Sequence, residues 1–348
     1  MEPYKKHLAP LNSTVKEILV KLDTLASDAI LFIVDENEKL IGSLTDGDLR
    51  RGFIKGLGLG DQITQFIQPN PKYIQQGKYN LNEIIALRER FFTVFPVVNS
   101  KMQVINVVNF RHQKSYLPLD ALIMAGGRGE RLKPLTDSIP KPLLKVGDKP
   151  IIEHNIDRLN TYGIDDIWIS IRYLGEQLVD YFKDGRDRGM RINYVWEDNP
   201  LGTAGALALV EDFIHNHILM MNSDLLTNID FEDLFLFFER HEADFAVACI
   251  PYQVNVPYAV METQDYSVTG FKEKPSYTHY SNAGIYLMKR EVVKHIPKNQ
   301  PFNATDLMEY LIKSNMKVVA YPMVGYWLDI GKHEDFQLAQ HDIKQIKF

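Results

Sequence analysis

Apolar and polar positions follow two different rhythms along this chain. In the first, short paired strands surround polar turns. Residues 15–25 carry apolar side chains at helical spacing. Residues 29–34 and 40–45 are strand-like, separated by the turn Asp35-Glu36-Asn37-Glu38 and followed by a basic helix start at Asp48-Leu49-Arg50-Arg51. The order recurs as a helical segment at 81–90 and strand-like residues 93–98 and 104–108 around the turn Asn99-Ser100-Lys101. Phe32 and Pro96 stand 64 positions apart, as do Ile41 and Ile105. Both units read as helix, strand, turn, strand, helix, over about residues 1–62 and 63–115. A unit of that size rarely buries its own core, so the two should pack as a pair, giving an α+β module at 1–115.

From Asp120 the rhythm changes. Apolar runs at 121–125, 167–171, 192–196 and 218–221 alternate with amphipathic segments at 151–159, 175–182 and 203–210. This βαβ series predicts an α/β domain at 120–348, with a mostly parallel sheet and helices on both faces. Tyr116-Leu117-Pro118-Leu119 is the linker. Residues 245–250 read as a buried strand, which makes Cys249, the one cysteine, a packed thiol rather than a nucleophile. Residues 333–348 read as a helix with Phe336, Leu338, Ile343 and Ile346 as its apolar positions.

The chain has 348 residues, 45% hydrophobic and 24% charged, which suits two packed domains. The start, MEPYKKHLAP, lacks the apolar core of a signal peptide, and no run reaches the roughly 18 apolar residues of a membrane span. The expected compartment is the cytoplasm, with no membrane partner. The net charge of −6 is uneven. Residues 1–117 hold 15 Lys/Arg and 12 Asp/Glu (+3), and the remainder holds 24 and 33 (−9). An acidic second half argues against a nucleic-acid partner, and an anionic substrate would need a local basic pocket. Arg128, Arg131, Lys133, Lys141 and Lys145, against Glu130 and Asp137, supply one.

Those cations lie in or beside a glycine loop, AGGRGERLKPLTDSIPKPLL, that follows the first apolar run of the second half. A dinucleotide fingerprint would need a third glycine where Leu132 stands, and no P-loop string is present. The loop still suits phosphate. Backbone N–H groups of Gly126, Gly127 and Gly129 can approach oxygens closely, Arg131 and Lys141 can neutralise them, and Pro140 and Pro142 stiffen the backbone around Lys141. Ligands of such sheets bind at the carboxyl ends of the strands, where this loop falls.

The string resembles the signature G-G-x-G-T-R-L-x-P-L-T-x-x-x-P-K-P of sugar-1-phosphate nucleotidyltransferases, with Glu130 in place of the Thr. The resemblance runs from about 120 to 335 and takes in five further segments. They are Pro200-Leu201-Gly202-Thr203-Ala204-Gly205-Ala206, Asn222-Ser223-Asp224, Phe271-Lys272-Glu273-Lys274-Pro275, Asn282-Ala283-Gly284-Ile285-Tyr286 and Trp327-Leu328-Asp329-Ile330-Gly331. It implies a Rossmann-like (GT-A-like) domain with a mixed, mostly parallel sheet. The implied reaction joins a nucleoside triphosphate to a sugar 1-phosphate, with Mg²⁺, and releases pyrophosphate. The attacking oxygen is already anionic, so catalysis is positioning and charge neutralisation, with no general base. His154, His279 and His333 are accordingly expected to be structural or peripheral.

The resemblance also implies roles. Ala125, Gly126, Gly127 and Gly129 with Arg131 hold the β- and γ-phosphates, and Lys141 meets the α-phosphate. Leu201, Gly202, Thr203 and Ala204 hold the base. Lys274 takes the sugar phosphate, and Glu273 and Asn282 take sugar hydroxyls. Asp224 and Asp329 bind the Mg²⁺. Arg131, Lys141 and Asp224 form the catalytic set, with Glu197-Asp198, which precedes the base segment, near the pocket. Glu130, beside a triphosphate, must face away, pair with Arg128 or Lys133, or help order the metal.

The first half, with Gly42-Ser43-Leu44-Thr45-Asp46-Gly47-Asp48, resembles a tandem cystathionine-β-synthase (CBS) module. This implies a regulatory nucleotide whose ribose is held by Thr45 and Asp48. The second unit departs from the pattern, with Asn106, Asn109 and His112 at the matching positions. The other reading of Thr45 and Asp48 is a helix cap in a structural or oligomerising module. A CBS pair before this domain, together with G-x-G-E-R, resembles the glucosamine-1-phosphate guanylyltransferases of legionaminic acid biosynthesis. That implies GTP and α-D-glucosamine 1-phosphate, and family habit implies a homo-oligomer. Mannose-1-phosphate or heptose-1-phosphate guanylyltransferases and uridylyl or thymidylyl enzymes are alternatives. So is an inactive nucleotide-sugar-binding regulator, against which the presence of Arg131, Lys141, Asp224, Lys274 and Asp329 argues.

Overall fold

The computed structural model describes residues 3–346. Its centre is a seven-stranded sheet in the order Arg191–Trp196, Asp166–Ile171, Leu119–Met124, His217–Asn222, Ser276–Lys289, Phe245–Asn255 and Val318–Pro322. All neighbouring pairs are parallel except those made by Ser276–Lys289, which runs antiparallel to both its neighbours. The expected mixed, mostly parallel sheet is therefore present.

Alternation of side chains divides the core. Ala121, Ile123, Ile167, Ile169, Ile285 and Leu287 point to one face, under helices Ile151–Thr161, Gly175–Phe182 and Phe231–Arg240. Leu122, Tyr286 and Met288 point to the other, where Leu307 and Leu311 of helix Ala304–Lys313 close the layer. Cys249 is buried in the second layer, and burial pushes its thiol pKa up, as a packed thiol requires. The helix expected at 203–210 is only a short 3-10 turn, Gly205–Leu209. Among the described residues no helix is long and apolar enough to cross a membrane.

The N-terminal module is a pseudo-symmetric pair. Helix Val15–Leu25 starts on a capping box, in which Thr14 N donates to Glu17 (2.8 Å) and Glu17 N to Thr14 (3.2 Å). Strands Ile30–Val34 and Leu40–Thr45 are answered by Val94–Val98 and Val104–Asn109. The two turns bond to each other reciprocally, Leu40 N to Met102 O (2.9 Å) and Val104 N to Glu38 O (3.0 Å), which is the 64-residue period expressed in hydrogen bonds. Phe32, Val34, Leu40, Val98 and Val104 share one core between the units. Two details differ from expectation. Gln68–Pro69 still pairs into the first sheet, so that sheet extends past residue 62. No helix lies between Val104–Asn109 and strand Leu119–Met124, because Asn109 turns the chain at once toward the second domain.

That junction is packed rather than loose. Tyr116, Leu117 and Leu119 are all buried, and Leu119 already belongs to the first strand of the large sheet. Arg88 forks onto Glu232 at 2.8 and 3.1 Å. Asn106 Nδ2 (2.9 Å) and the Tyr116 hydroxyl (3.2 Å) both donate to Oδ2 of Asp165. Burial, and then the neighbouring Asp166 carboxylate, push Asp165 up to about 7. Burial pushes Asp120 up to about 6. A carboxyl group whose pKa is raised by folding stabilises the fold below its ordinary range, and that contribution is lost as pH rises through its folded value. The thermal midpoint should therefore fall by several degrees between about pH 4 and 7 and level off above that. Asp165→Asn keeps one oxygen for both donors and should flatten that fall. An unchanged pH profile in the variant would contradict the assignment.

Candidate active site

A cleft of about 520 Å³ opens at the carboxyl ends of the parallel strands. Its floor is the glycine loop that leaves strand Leu119–Met124, with Ala125 N bonded to Ser170 O at 2.9 Å. Gly126 has Glu197 beneath it, and an added Cβ would meet that carboxylate at 3.0 Å. Gly129 is left-handed (φ 63°), and a Cβ there would lie 2.8 Å from Lys141 Cβ and 3.0 Å from Thr136 Cγ2. Glycine thus lets the loop seat against Lys141, which begins a short turn framed by Pro140 and Pro142.

Asp224 lies where the chain reverses after the central strand His217–Asn222. Its backbone is tied to the last wall, since Ile330 N donates to Asp224 O at 3.0 Å and Leu225 pairs with Asp329. Lys141 Nζ lies 2.5 Å from Asp224 Oδ2. The other oxygen, Oδ1, is buried with no hydrogen-bond partner. Burial, and then the Asp224 charge, raise the Asp329 pKa, with Lys141 and Arg131 opposing the shift. An orphaned carboxylate oxygen beside a second carboxylate of raised pKa is a donor set that fits a hard divalent cation.

Residues 201–204 are held from below and behind. Leu201 N donates to Glu197 Oε2 at 3.1 Å, and Ser170 Oγ donates to Glu197 Oε1. Phe302 N bonds Leu201 O (2.9 Å) and Ala204 N bonds Phe302 O (3.0 Å). Gly202 is left-handed (φ 75°), with Phe302 and Asn303 too close for a side chain.

The structure brings Ala125, Gly126, Gly127, Gly129, Arg131, Lys141, Leu201, Gly202, Thr203 and Asp224 to the walls of one cleft, with Gly331 beside Arg131. Ala204 is buried behind the wall. The Thr203 hydroxyl accepts Ala304 N at 2.9 Å and so helps start helix Ala304–Lys313. Glu273 and Lys274 do not reach the cleft walls. They lie exposed, near the end of an outreaching arm built on residues 249–282. Asn282 spends its amide internally, donating to Tyr286 OH (2.8 Å) and accepting Gly284 N (2.9 Å). Glu130 does line the cleft, but Arg128 lies over the Tyr173 ring and Lys133 pairs with Asp137 (3.8 Å), so neither expected partner holds it. His154 and His333 bond backbone carbonyls outside the cleft. Arg172 was missed by residue-level reasoning. Its position, directly after strand Asp166–Ile171, was the available signal.

In the first module, Thr45 and Asp48 cap helix Asp46–Ile54. The Asp48 carboxylate already accepts Thr45 N (2.9 Å), Thr45 Oγ1 (2.6 Å), Arg51 (2.5 Å) and Gln68 (2.8 Å).

Fold and cleft together define an α/β domain with a glycine loop at the carboxyl edge of a mostly parallel sheet. The chain belongs to the nucleotidyl transferase family, whose pattern it matches over residues 120–346. It is 30% identical over 227 residues to a mannose-1-phosphate guanyltransferase of Schizosaccharomyces pombe, covering 63% of this chain and 62% of that protein. It is 32% identical to a mannose-1-phosphate guanylyltransferase of Mycobacterium tuberculosis, covering 65% and 64%. It is 31% identical to a UTP–glucose-1-phosphate uridylyltransferase of Synechocystis, covering 64% and 62%. The chain thus spans a little under two thirds of the length of these curated relatives. A solved structure from Bacillus anthracis, of a protein assigned as a glucose-1-phosphate thymidylyltransferase, matches with a TM-score of 0.55 and 28% identity, over 66% of this chain and 97% of that one.

Gly129→Ala tests the seating of the loop. A left-handed alanine costs about 1–2 kcal/mol before any contact is counted, and the contact would push Lys141 away. Urea unfolding should show at least that loss, and an unchanged midpoint would mean that the loop seats otherwise.

Proposed function

We propose that this protein transfers a nucleoside monophosphate from GTP to a sugar 1-phosphate, α-D-glucosamine 1-phosphate by preference, and releases pyrophosphate with Mg²⁺ as cofactor. The observation that carries this reading is the meeting of glycine loop, Arg131, Lys141 and Asp224 on the walls of one cleft, with Asp329 next to Asp224 behind those walls. The glycine loop and Arg131 bind the triphosphate, Arg172 adds charge at the rim, and Lys141 neutralises charge growing at the α-phosphate. An oxygen of the sugar phosphate attacks the α-phosphorus, the bond to the β-phosphate oxygen breaks, and pyrophosphate leaves with no net proton transfer. Asp224 and Asp329 hold the Mg²⁺, which supplies Lewis-acid polarisation of phosphate oxygens. Glu273, Lys274 and Asn282 serve the sugar phosphate, reached from the arm. The N-terminal module acts as a regulatory CBS pair.

GTP is favoured because Glu197 puts a buried carboxylate at the base segment. The guanine edge offers adjacent N1–H and N2–H donors to such an acceptor. Two of the relatives above also carry guanylyl-transfer names, and their sugar is mannose 1-phosphate, which is the second reading for the acceptor.

A pyrophosphate-release assay over GTP, ATP, UTP and dTTP with both sugar phosphates tests the reading. GTP should be used at least about tenfold better, by kcat/KM, than any other triphosphate. Release from no pair would overturn it. Asp224→Asn should lower kcat about a hundredfold or more with the fold intact, and an active variant would remove the metal role. Glu197→Gln should erode the preference for GTP by about tenfold, whereas an unchanged ratio would place base reading elsewhere.

A further inference from the structure

We infer that Arg172 is a specificity-determining residue that grips the O6 and N7 acceptors of guanine, while Glu197 takes the adjoining edge. The inference deepens the proposed function and rests on its assignment of Glu197 to the base. Sheet register carries the placement. Ile171 pairs with Trp196 in parallel strands, so Arg172 and Glu197 stand level, each the first residue past its strand. Glu197 N donates to Ile171 O at 3.0 Å, and Ala125 N to Ser170 O at 2.9 Å. The glycine loop therefore lies against both side chains. A Cβ on Gly126 would meet Glu197 Oε1 at 3.0 Å and Arg172 Cβ at 3.5 Å.

The backbone around Arg172 is fixed. The Tyr173 hydroxyl donates to Thr136 O and Asp137 O, both at 3.2 Å, and Gln177 Nε2 donates to Ser138 O at 2.9 Å. Gly175 packs on Ile171 and Trp196, where an added Cβ would stand 3.1 Å from each. The side chain is half-buried on the cleft wall, and its guanidinium has neither hydrogen bond nor ion pair among the described residues. Other cations of the loop are committed. Lys141 is held by Asp224 (2.5 Å), Lys133 by Asp137 (3.8 Å), and Arg128 lies over the Tyr173 ring. Arg131 stands at the far wall, 3.5 Å from where a Cβ on Gly331 would be. Glu197, although level with Arg172, forms no ion pair with it, because its carboxylate is held by Ser170 Oγ and by Leu201 N (3.1 Å). A fixed stem with an unspent guanidinium is arranged for an acceptor that a ligand brings.

The neighbouring carboxylate narrows the choice of ligand. Each Glu197 oxygen accepts one bond and keeps a lone pair. Guanine presents its N1–H and N2–H donors on one edge and, directly beside them, the O6 and N7 acceptors that a guanidinium fork fits. A carboxylate with a guanidinium next to it matches that run of donors and acceptors. Adenine would turn its N6 amino donor toward the cation. Uracil and thymine have no N7, so the fork would lose one of its acceptors. Arg172 thus discriminates by direct readout, beyond the charge it adds at the rim.

The test is titration calorimetry of nucleotides on the full chain, with magnesium and without sugar phosphate. The unaltered protein should bind 7-deaza-GTP, which lacks the N7 acceptor, about tenfold more weakly than GTP. Arg172→Ala should weaken GTP about tenfold or more, weaken UTP far less, and bind GTP and 7-deaza-GTP alike. Arg172→Lys keeps the charge without the fork and should not restore the difference between those two nucleotides. Equal losses for GTP and UTP in Arg172→Ala, with full rescue in Arg172→Lys, would make Arg172 a phosphate contact and overturn the inference. Equal binding of GTP and 7-deaza-GTP by the unaltered protein would overturn it as well, and both results leave a preference for GTP standing. If the unaltered protein binds another triphosphate more tightly than GTP, the proposed function falls and this inference with it.

Discussion

The centre of the cleft is a contest among charges. Lys141 sits 2.5 Å from Asp224, and Asp329 is fixed beside them by the pairing of two short strands. Burial, and then the neighbouring Asp224 charge, raise the Asp329 pKa, since two close carboxylates disfavour each other's ionisation. The ammonium offsets part of that rise in the ligand-free protein. Much of the surrounding architecture serves this arrangement. Gly129 lets the loop approach Lys141, the prolines stiffen its turn, and Ile330 N ties the far wall to Asp224. A site held in such tension is complementary to added positive and negative charge together, the pair that a cation and a polyphosphate bring.

The sheet gives the molecule two poles. Parallel strands place the glycine loop, Arg172, Glu197 and Asn222 at one end, and Asp120, Asp166 and Arg191 at the other. The N-terminal module is docked on the second pole through Arg88, Asn106 and Tyr116. It does not shield the catalytic cleft. Strand Asp166–Ile171 spans both poles, with Asp166 in the junction and Ser170 bonded to Glu197 under the base segment. The amino pole, with Asp120, Asp165 and Asp166, and the more basic module face each other there.

Much of this was legible in the residues. The 3.6 and 2.0 periodicities of 15–25, 81–90, 151–159 and 167–171 are local properties and located their elements to within a residue or two. The 64-residue repeat likewise foretold a pair that bonds turn to turn. The 203–210 segment misled, because its Ala-Leu composition suits a helix. Its backbone groups instead bond Phe302, far away in sequence. Thr45 and Asp48 were legible as a capping pair, and the structure spends every visible acceptor of Asp48 on that local duty and on Gln68.

Spacing and residue type alone determined that a glycine loop follows a strand and that cations gather on it, whereas the pairing of Asp224 with Asp329 was implied only by resemblance. They could not determine that Lys141 and Asp224, 83 positions apart, share one ion pair, because chain proximity carries no information about that distance. Nor could they foresee the unspent guanidinium of Arg172 level with Glu197, since satisfaction of a polar group depends on everything folded around it. The sequence decided which chemistry is carried. The tertiary structure decided which of those groups meet, which are spent on holding the fold, and which are left open for a ligand.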